Sequence, residues 1–143
     1  MMTMKRILIL FTALFAAGSV FAQSEYNLRR RTLFEVLPVL SSDIVFLGNS
    51  ITDGWDNAHP EFFTDNNFAC RGIGGQVTSQ MLCRFRADVI DLRPKAVVIL
   101  AGTNDIAGNN GPIECGHIVE NIVSMAELAL AAGIRPILCS VLP

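Results

Sequence analysis

Apolar residues fall in short unbroken runs, separated by polar and glycine-rich turns. The runs 44–47, 96–101 and 137–142 are almost wholly apolar. Runs this short, with no polar alternation, read as strands buried on both faces. They predict strands at 43–48, 95–101 and 134–142, and a weaker one at 67–70. Between them the spacing turns helical. Val77, Met81, Leu82, Phe85 and Val89 share one side of a helix predicted over 77–90, which Arg93-Pro94 ends. A longer helix is predicted over 112–132, with Pro112 in its first turn and Gly133 at its C-terminal end. Ahead of the first strand, Leu28, Phe34 and Leu37 give a modestly amphipathic helix over 25–37 that Pro38 closes, with Arg29, Arg30 and Arg31 as its solvated face.

Strands that alternate with helices imply an α/β fold, a parallel sheet with helices on both faces. In such sheets functional groups collect at the carboxyl ends of the strands. Three polar turns follow predicted strands, at 48–54, 72–76 and 102–105. Their convergence on one sheet edge is the first sign of a site.

The N-terminus changes the picture of location. Lys5 and Arg6 precede an apolar run over 7–17 that only Thr12 interrupts, and Val20-Phe21-Ala22 follows. That is the layout of a secretory signal peptide over residues 1–22, with the mature chain starting at Gln23. The run is shorter than the roughly 20 residues a helix needs to cross a bilayer. No cysteine stands at the expected cleavage point, which argues against a lipid anchor there. The protein is therefore expected to be secreted or periplasmic, in a bacterium. Residues 23–143 suffice for one domain.

Charge and cysteine content exclude more than they suggest. A net charge of −2 without a basic stripe gives no indication of nucleic acid. Cys70, Cys83, Cys115 and Cys139 match no C-x-x-C or zinc spacing. Their even number permits disulfides in an exported protein. They read as mostly buried thiols acting as small apolar residues.

The chemistry sits in the turns. In Gly48-Asn49-Ser50-Ile51-Thr52-Asp53-Gly54-Trp55, a serine after a buried strand either presents its hydroxyl at a helix N-terminus or simply caps that helix. In Arg71-Gly72-Ile73-Gly74-Gly75-Gln76, glycines let backbone N–H groups approach a ligand. Val77 fills the last position of a G-x-G-x-x-G reading, so a dinucleotide fingerprint fails. Thr52 likewise breaks the G-x-S-x-G elbow. In Gly102-Thr103-Asn104-Asp105, the asparagine can aim an amide at an oxyanion or serve as a turn residue.

Together, in this order and spacing, the three blocks resemble the GDSL/SGNH hydrolase family, over about 43–143. The resemblance implies a three-layer, flavodoxin-like α/β fold, here truncated before its last strand and helix. It implies acyl transfer with no metal and no cofactor. Carried over by motif position, Ser50 is the nucleophile. Its own N–H, the N–H of Gly75 and the side-chain amide of Asn104 form the oxyanion hole. Two departures stand out. Asn49 replaces the usual aspartate, although a neutral amide still makes the turn's hydrogen bonds. The family's catalytic Asp-x-x-His segment lies beyond Pro143, so the chain as it stands is expected to be inactive.

The two histidines are poor substitutes. Asp56-Asn57-Ala58-His59 formally reads D-x-x-H. But His59 comes nine residues after Ser50, ~13 Å along a helix, too far to take its proton directly. His117 falls in or near the first turn of the 112–132 helix, three residues after Glu114. The reading is a secreted esterase, with O-acetyl groups on carbohydrates favoured by the G-N-S-I-T and R-G-I-G-G blocks. Lysophospholipid or short-chain lipid esters are the enzymatic alternative. A non-catalytic glycan- or ester-binding module is the alternative from another class.

Overall fold

The computed structural model describes residues 42–141, together with residues 25, 28–30, 32 and 34. The expected signal peptide and the Pro38 helix end lie outside the described residues. Residues 25, 28–30, 32 and 34 are helical as predicted, with Phe34 buried, but Leu28, assigned to the apolar side, is exposed. They belong to a compact unit of their own, Met1–Val36, apart from Leu37–Pro143. Within it Arg29 pairs with Glu25, and Arg30 lies over the Phe34 ring.

The second unit is built on four parallel strands: β1 (Ile44–Gly48), β2 (Phe68–Gly72), β3 (Ala96–Leu100) and β4 (Arg135–Leu138). Their order across the sheet is β2-β1-β3-β4. Ile44 pairs with both Phe68 and Ala96, so β1 is central and in step with both neighbours. The helices are α1 (Ser50–Ala58), α2 (Pro60–Thr64), α3 (Thr78–Phe85), α4 (Thr103–Ile106) and α5 (Cys115–Ala131). The chain runs outward from β1 to β2, then crosses back over β1 to β3. That reversal puts a topological switch point at the carboxyl ends of β1 and β3, the place where α/β sheets bind ligands.

Side-chain alternation sorts the two faces of the sheet. On one face Val45, Leu47, Val97 and Ile99 meet Met81, Phe85 and Val89 from the α3 side and Met125 and Ala129 from α5. All nine are almost fully buried, each large one contributing about 1.5–3 kcal/mol. On the other face Phe46 packs edge-on against Trp55 of α1 and Phe63 of α2. Trp55 stacks on Phe62 at 4.5 Å. This is the three-layer α/β arrangement the pattern predicts.

Several boundaries differ. β2 runs on through Arg71 and Gly72, which the pattern assigns in part to a turn. The helix after it ends as α at Phe85 and continues as a π segment, Arg86–Ile90. The wider turn keeps Val89 on the sheet side with Phe85, and Asp88 close to Arg84. α5 starts at Cys115, so Pro112 stands in the preceding loop and not in its first turn. Gly133 ends it as expected: its N–H bonds to Leu130 O and that of Ile134 to Ala129 O, a Schellman closure.

β4 is shorter than predicted and lies at the sheet edge, with Ile137 and Leu138 exposed and not buried. The cysteines also correct the expectation. Cys70 is half-buried, Cys83, Cys115 and Cys139 are exposed, and none of the four is joined in a disulfide. Cys83 falls on the outer side of α3, opposite Met81 and Phe85. Cys115 opens α5 and Cys139 follows the edge strand, so none has a layer to cover it.

Candidate active site

The turn after β1 is tight because two glycines permit it. A Cβ on Gly72 would come within 2.3 Å of the Asp53 backbone nitrogen. Glycine there lets the first turn of α1 lie directly on the end of β2. Asn49, fully buried, caps α1: its Oδ1 accepts the Ile51 N–H at 3.0 Å. The neutral amide thus makes the turn bond that an aspartate would make. Its Nδ2, however, is buried without a partner.

With Asn49 as the cap, Ser50 is the first residue of α1, and exposed. The capping role read for the serine therefore belongs to Asn49. Ser50 stands at the helix N-terminus, where free N–H groups and the helix dipole favour negative charge.

The second turn supplies a backbone donor. Gly75 adopts φ +76°, a left-handed conformation that glycine takes without strain. Among the described residues, its N–H meets no acceptor.

The third turn is tied to the second at two points. Asn104 Nδ2 donates to the Gln76 carbonyl at 2.8 Å. Asn104 Oδ1 accepts from Asn109 Nδ2 at 2.9 Å. With its oxygen held by Asn109 and one amide hydrogen spent on Gln76, Asn104 has one N–H left to offer. One residue on, the buried Asp105 accepts the Thr78 N–H at 3.1 and 2.9 Å and the Thr78 hydroxyl at 2.6 Å. It therefore caps α3 from a distance of 27 residues along the chain. Asn121 of α5 completes the chain, donating to Thr78 Oγ1 at 3.0 Å.

Beneath the turns lies a buried guanidinium. Arg84 bonds to Gln76, Asp88 and the carbonyls of Gly48 and Arg71. The strand ends behind Ser50 and the turn behind Gly75 thus share one anchor. Arg84, Asp105 and Asn109 all escape the sequence reading. The signal for Arg84 was a basic residue three positions after Met81, on the apolar side of its helix. For Asp105 and Asn109 no local pattern gives the partner.

Neither histidine is brought to the serine. His59 closes α1 at the end opposite Ser50, is exposed, and shares a hydrogen bond with Glu61 at 3.1 Å. Glu61 is held below the usual carboxylate range by its own backbone N–H first and by His59 second. His59 borders an open cavity of about 390 Å³ with Trp55, Phe62 and Asn66, which does not include Ser50. His117 is exposed in the first turn of α5. Among the described residues no cluster of three or more His, Cys, Asp or Glu could hold a metal. No described helix is long and apolar enough to cross a membrane.

A serine at a helix N-terminus and an oriented amide, on two turns that follow parallel strands of one sheet, suit acyl transfer. Comparison with known proteins agrees on the class. The chain belongs to the GDSL-like Lipase/Acylhydrolase family, whose model matches residues 46–143. It is 49% identical to a GDSL-like lipase from Bacteroides thetaiotaomicron VPI-5482, covering 80% of this chain and 58% of that one, with a TM-score of 0.74. It is 46% identical to a candidate acylhydrolase from Bacteroides fragilis NCTC 9343, covering 84% and 57% of the two chains, with a TM-score of 0.71. Over 75 residues it is 39% identical to the uncharacterized lipoprotein YqeF of Bacillus subtilis, half of this chain and 31% of that one. The chain thus spans well under two thirds of each relative.

Proposed function

We propose that this chain carries the nucleophile and oxyanion hole of an exported serine esterase. Ser50 Oγ attacks the carbonyl carbon of an ester. The carbonyl oxygen, now negative, is stabilised by the N–H groups of Ser50 and Gly75 and by the Asn104 amide. The alcohol leaves, and water then releases the acyl group from Ser50. The observation that carries this reading is the Asn104 amide, oriented by Gln76 and Asn109 and left with one N–H to give.

The attack needs a base to take the serine proton, and neither His59 nor His117 fits the role. The base is proposed to come from an Asp-x-x-His segment outside these 143 residues. The 143-residue chain alone is then inert. The favoured substrate is an O-acetylated carbohydrate. This rests on the likeness of the G-N-S-I-T and R-G-I-G-G blocks to carbohydrate acetylesterases and on the expected export.

The test compares nitrophenyl acetate hydrolysis by the 143-residue chain and by the product of the whole reading frame, each with its Ser50→Ala variant. The expected result is Ser50-dependent turnover only where an Asp-x-x-His segment is present. Fast, Ser50-dependent hydrolysis by the 143-residue chain overturns the need for that segment. Acetate released from acetylated xylan supports the carbohydrate reading. The exposed, Glu61-paired His59 also favours a second reading, a non-catalytic module that binds acetylated glycans. Glycan binding without labelling of Ser50 by a fluorophosphonate, in the whole product, decides for it.

A further inference from the structure

Arg84 sits on the apolar side of α3, its side chain 4% exposed, where Leu or Met would pack without a charge to bury. Burying a guanidinium is costly unless its hydrogens are matched. Here they are matched with care. Nε donates to Gln76 Oε1 at 2.7 Å, and Nη1 to Asp88 Oδ2 at 2.6 Å. Nη2 donates to Gly48 O at 3.1 Å and to Arg71 O at 2.9 Å.

Asp88 supplies the countercharge. The other three acceptors lie on the site side of the fork. Gly48 closes β1, two residues before Ser50. Arg71 stands at the end of β2. Gln76 follows Gly75, and its carbonyl is the group that holds the Asn104 amide. A rigid fork with fixed donor directions can set three such groups at once, which a flexible ammonium cannot.

We propose that Arg84 is a positioning residue for the oxyanion hole. By holding the Gln76 side chain and the Gly48 and Arg71 carbonyls in one plane of donors, it sets the Gln76 carbonyl that aims Asn104. It also sets the strand end that carries Ser50. Its role rests on the reading of Ser50 and Asn104 as acyl-transfer groups. Arg84 touches no substrate; it acts through Gln76 and Asn104.

The test uses the product of the whole reading frame, with Arg84→Lys and Gln76→Leu. Lysine keeps the charge beside Asp88 but loses the fork. Leucine cuts the one arm that leads to Asn104. Three readouts are taken: the thermal midpoint, hydrogen exchange of the Asn104 side-chain amide by NMR, and kcat and KM on an acetate ester. Both variants are expected to melt cooperatively. Asn104 exchange should speed up by about fivefold, the ratio for one hydrogen bond. kcat should fall by on the order of 10²-fold, as for a slightly misplaced group, with KM little changed.

Should Arg84→Lys not fold, Gln76→Leu decides alone. Folded variants with native Asn104 exchange overturn the proposal and leave Arg84 a purely structural residue. The exchange readout needs no turnover. An inactive native protein therefore sinks the esterase reading and leaves the Arg84–Gln76–Asn104 linkage to be decided by NMR.

Discussion

Replacing Asp105 by alanine removes a buried carboxylate that accepts two donors from one residue, the N–H and the hydroxyl of Thr78. Hydrogen bonds to an ionised group contribute about 1.5–3 kcal/mol each. Two of them give ~3–6 kcal/mol, and water entering the space left behind recovers part of it. The expected loss is about 3–5 kcal/mol. Thr78→Val removes a hydroxyl that donates to Asp105 and accepts from Asn121, so it should cost about 2–4 kcal/mol. In the double variant the hydroxyl bond is counted once, so the two losses should fail to add by ~1.5 kcal/mol. Urea unfolding followed by circular dichroism measures all three, with an unchanged m value as the check that the transition stays two-state. A loss under about 1 kcal/mol for Asp105→Ala, with strictly additive variants, would refute the reasoning. Asp105 would then be a bystander, and α3 would be anchored by its apolar face alone.

Three further outcomes follow from the same geometry. Gly72→Ala places a Cβ 2.3 Å from the Asp53 nitrogen; it should destabilise by about 1–3 kcal/mol in urea melts and displace α1. Asn104→Ala in the whole protein should lower kcat for an acetate ester by on the order of 10²–10³-fold, the usual loss for one oxyanion donor. Asp43 should titrate below the ordinary aspartate range in a carboxylate NMR titration, because the Lys95 ammonium bonds to it and then attracts it. The sign follows: a depressed carboxylate helps the fold above its ordinary value and loses that help as pH falls through the folded value. Lys95→Met should return Asp43 to the ordinary range.

The strands and their turns were legible because both are local. Ile44, Val45, Phe46 and Leu47 form an apolar run with Gly48 behind it, and periodicity reads such a run directly. The serine, glycine and asparagine turns followed for the same reason, each at the end of a readable strand. What escaped was long-range or face-dependent. An arginine in a helix reads as solvated, and only the match of Arg84 to two strand-end carbonyls shows why it is buried. Asp105 reads as a turn residue until Thr78 is seen against it. The thiols of Cys83, Cys115 and Cys139 are exposed because of which side of an element they fall on, not because of their composition. Pro112 missed the helix by three residues, since proline suits a loop before a helix as well as a first turn.

Trp55 is the only tryptophan of the chain, and it rides on the same helix as Ser50. Its indole stacks on Phe62 with planes 24° apart and is 39% exposed, so one face lies on a ring and part of it meets water. Ring overlap and hydration both govern indole emission. Any shift of α1 against α2 therefore changes the colour or brightness of the single fluorophore. The helix that carries the serine has its own optical gauge, readable without a label, in the folded and the unfolded chain.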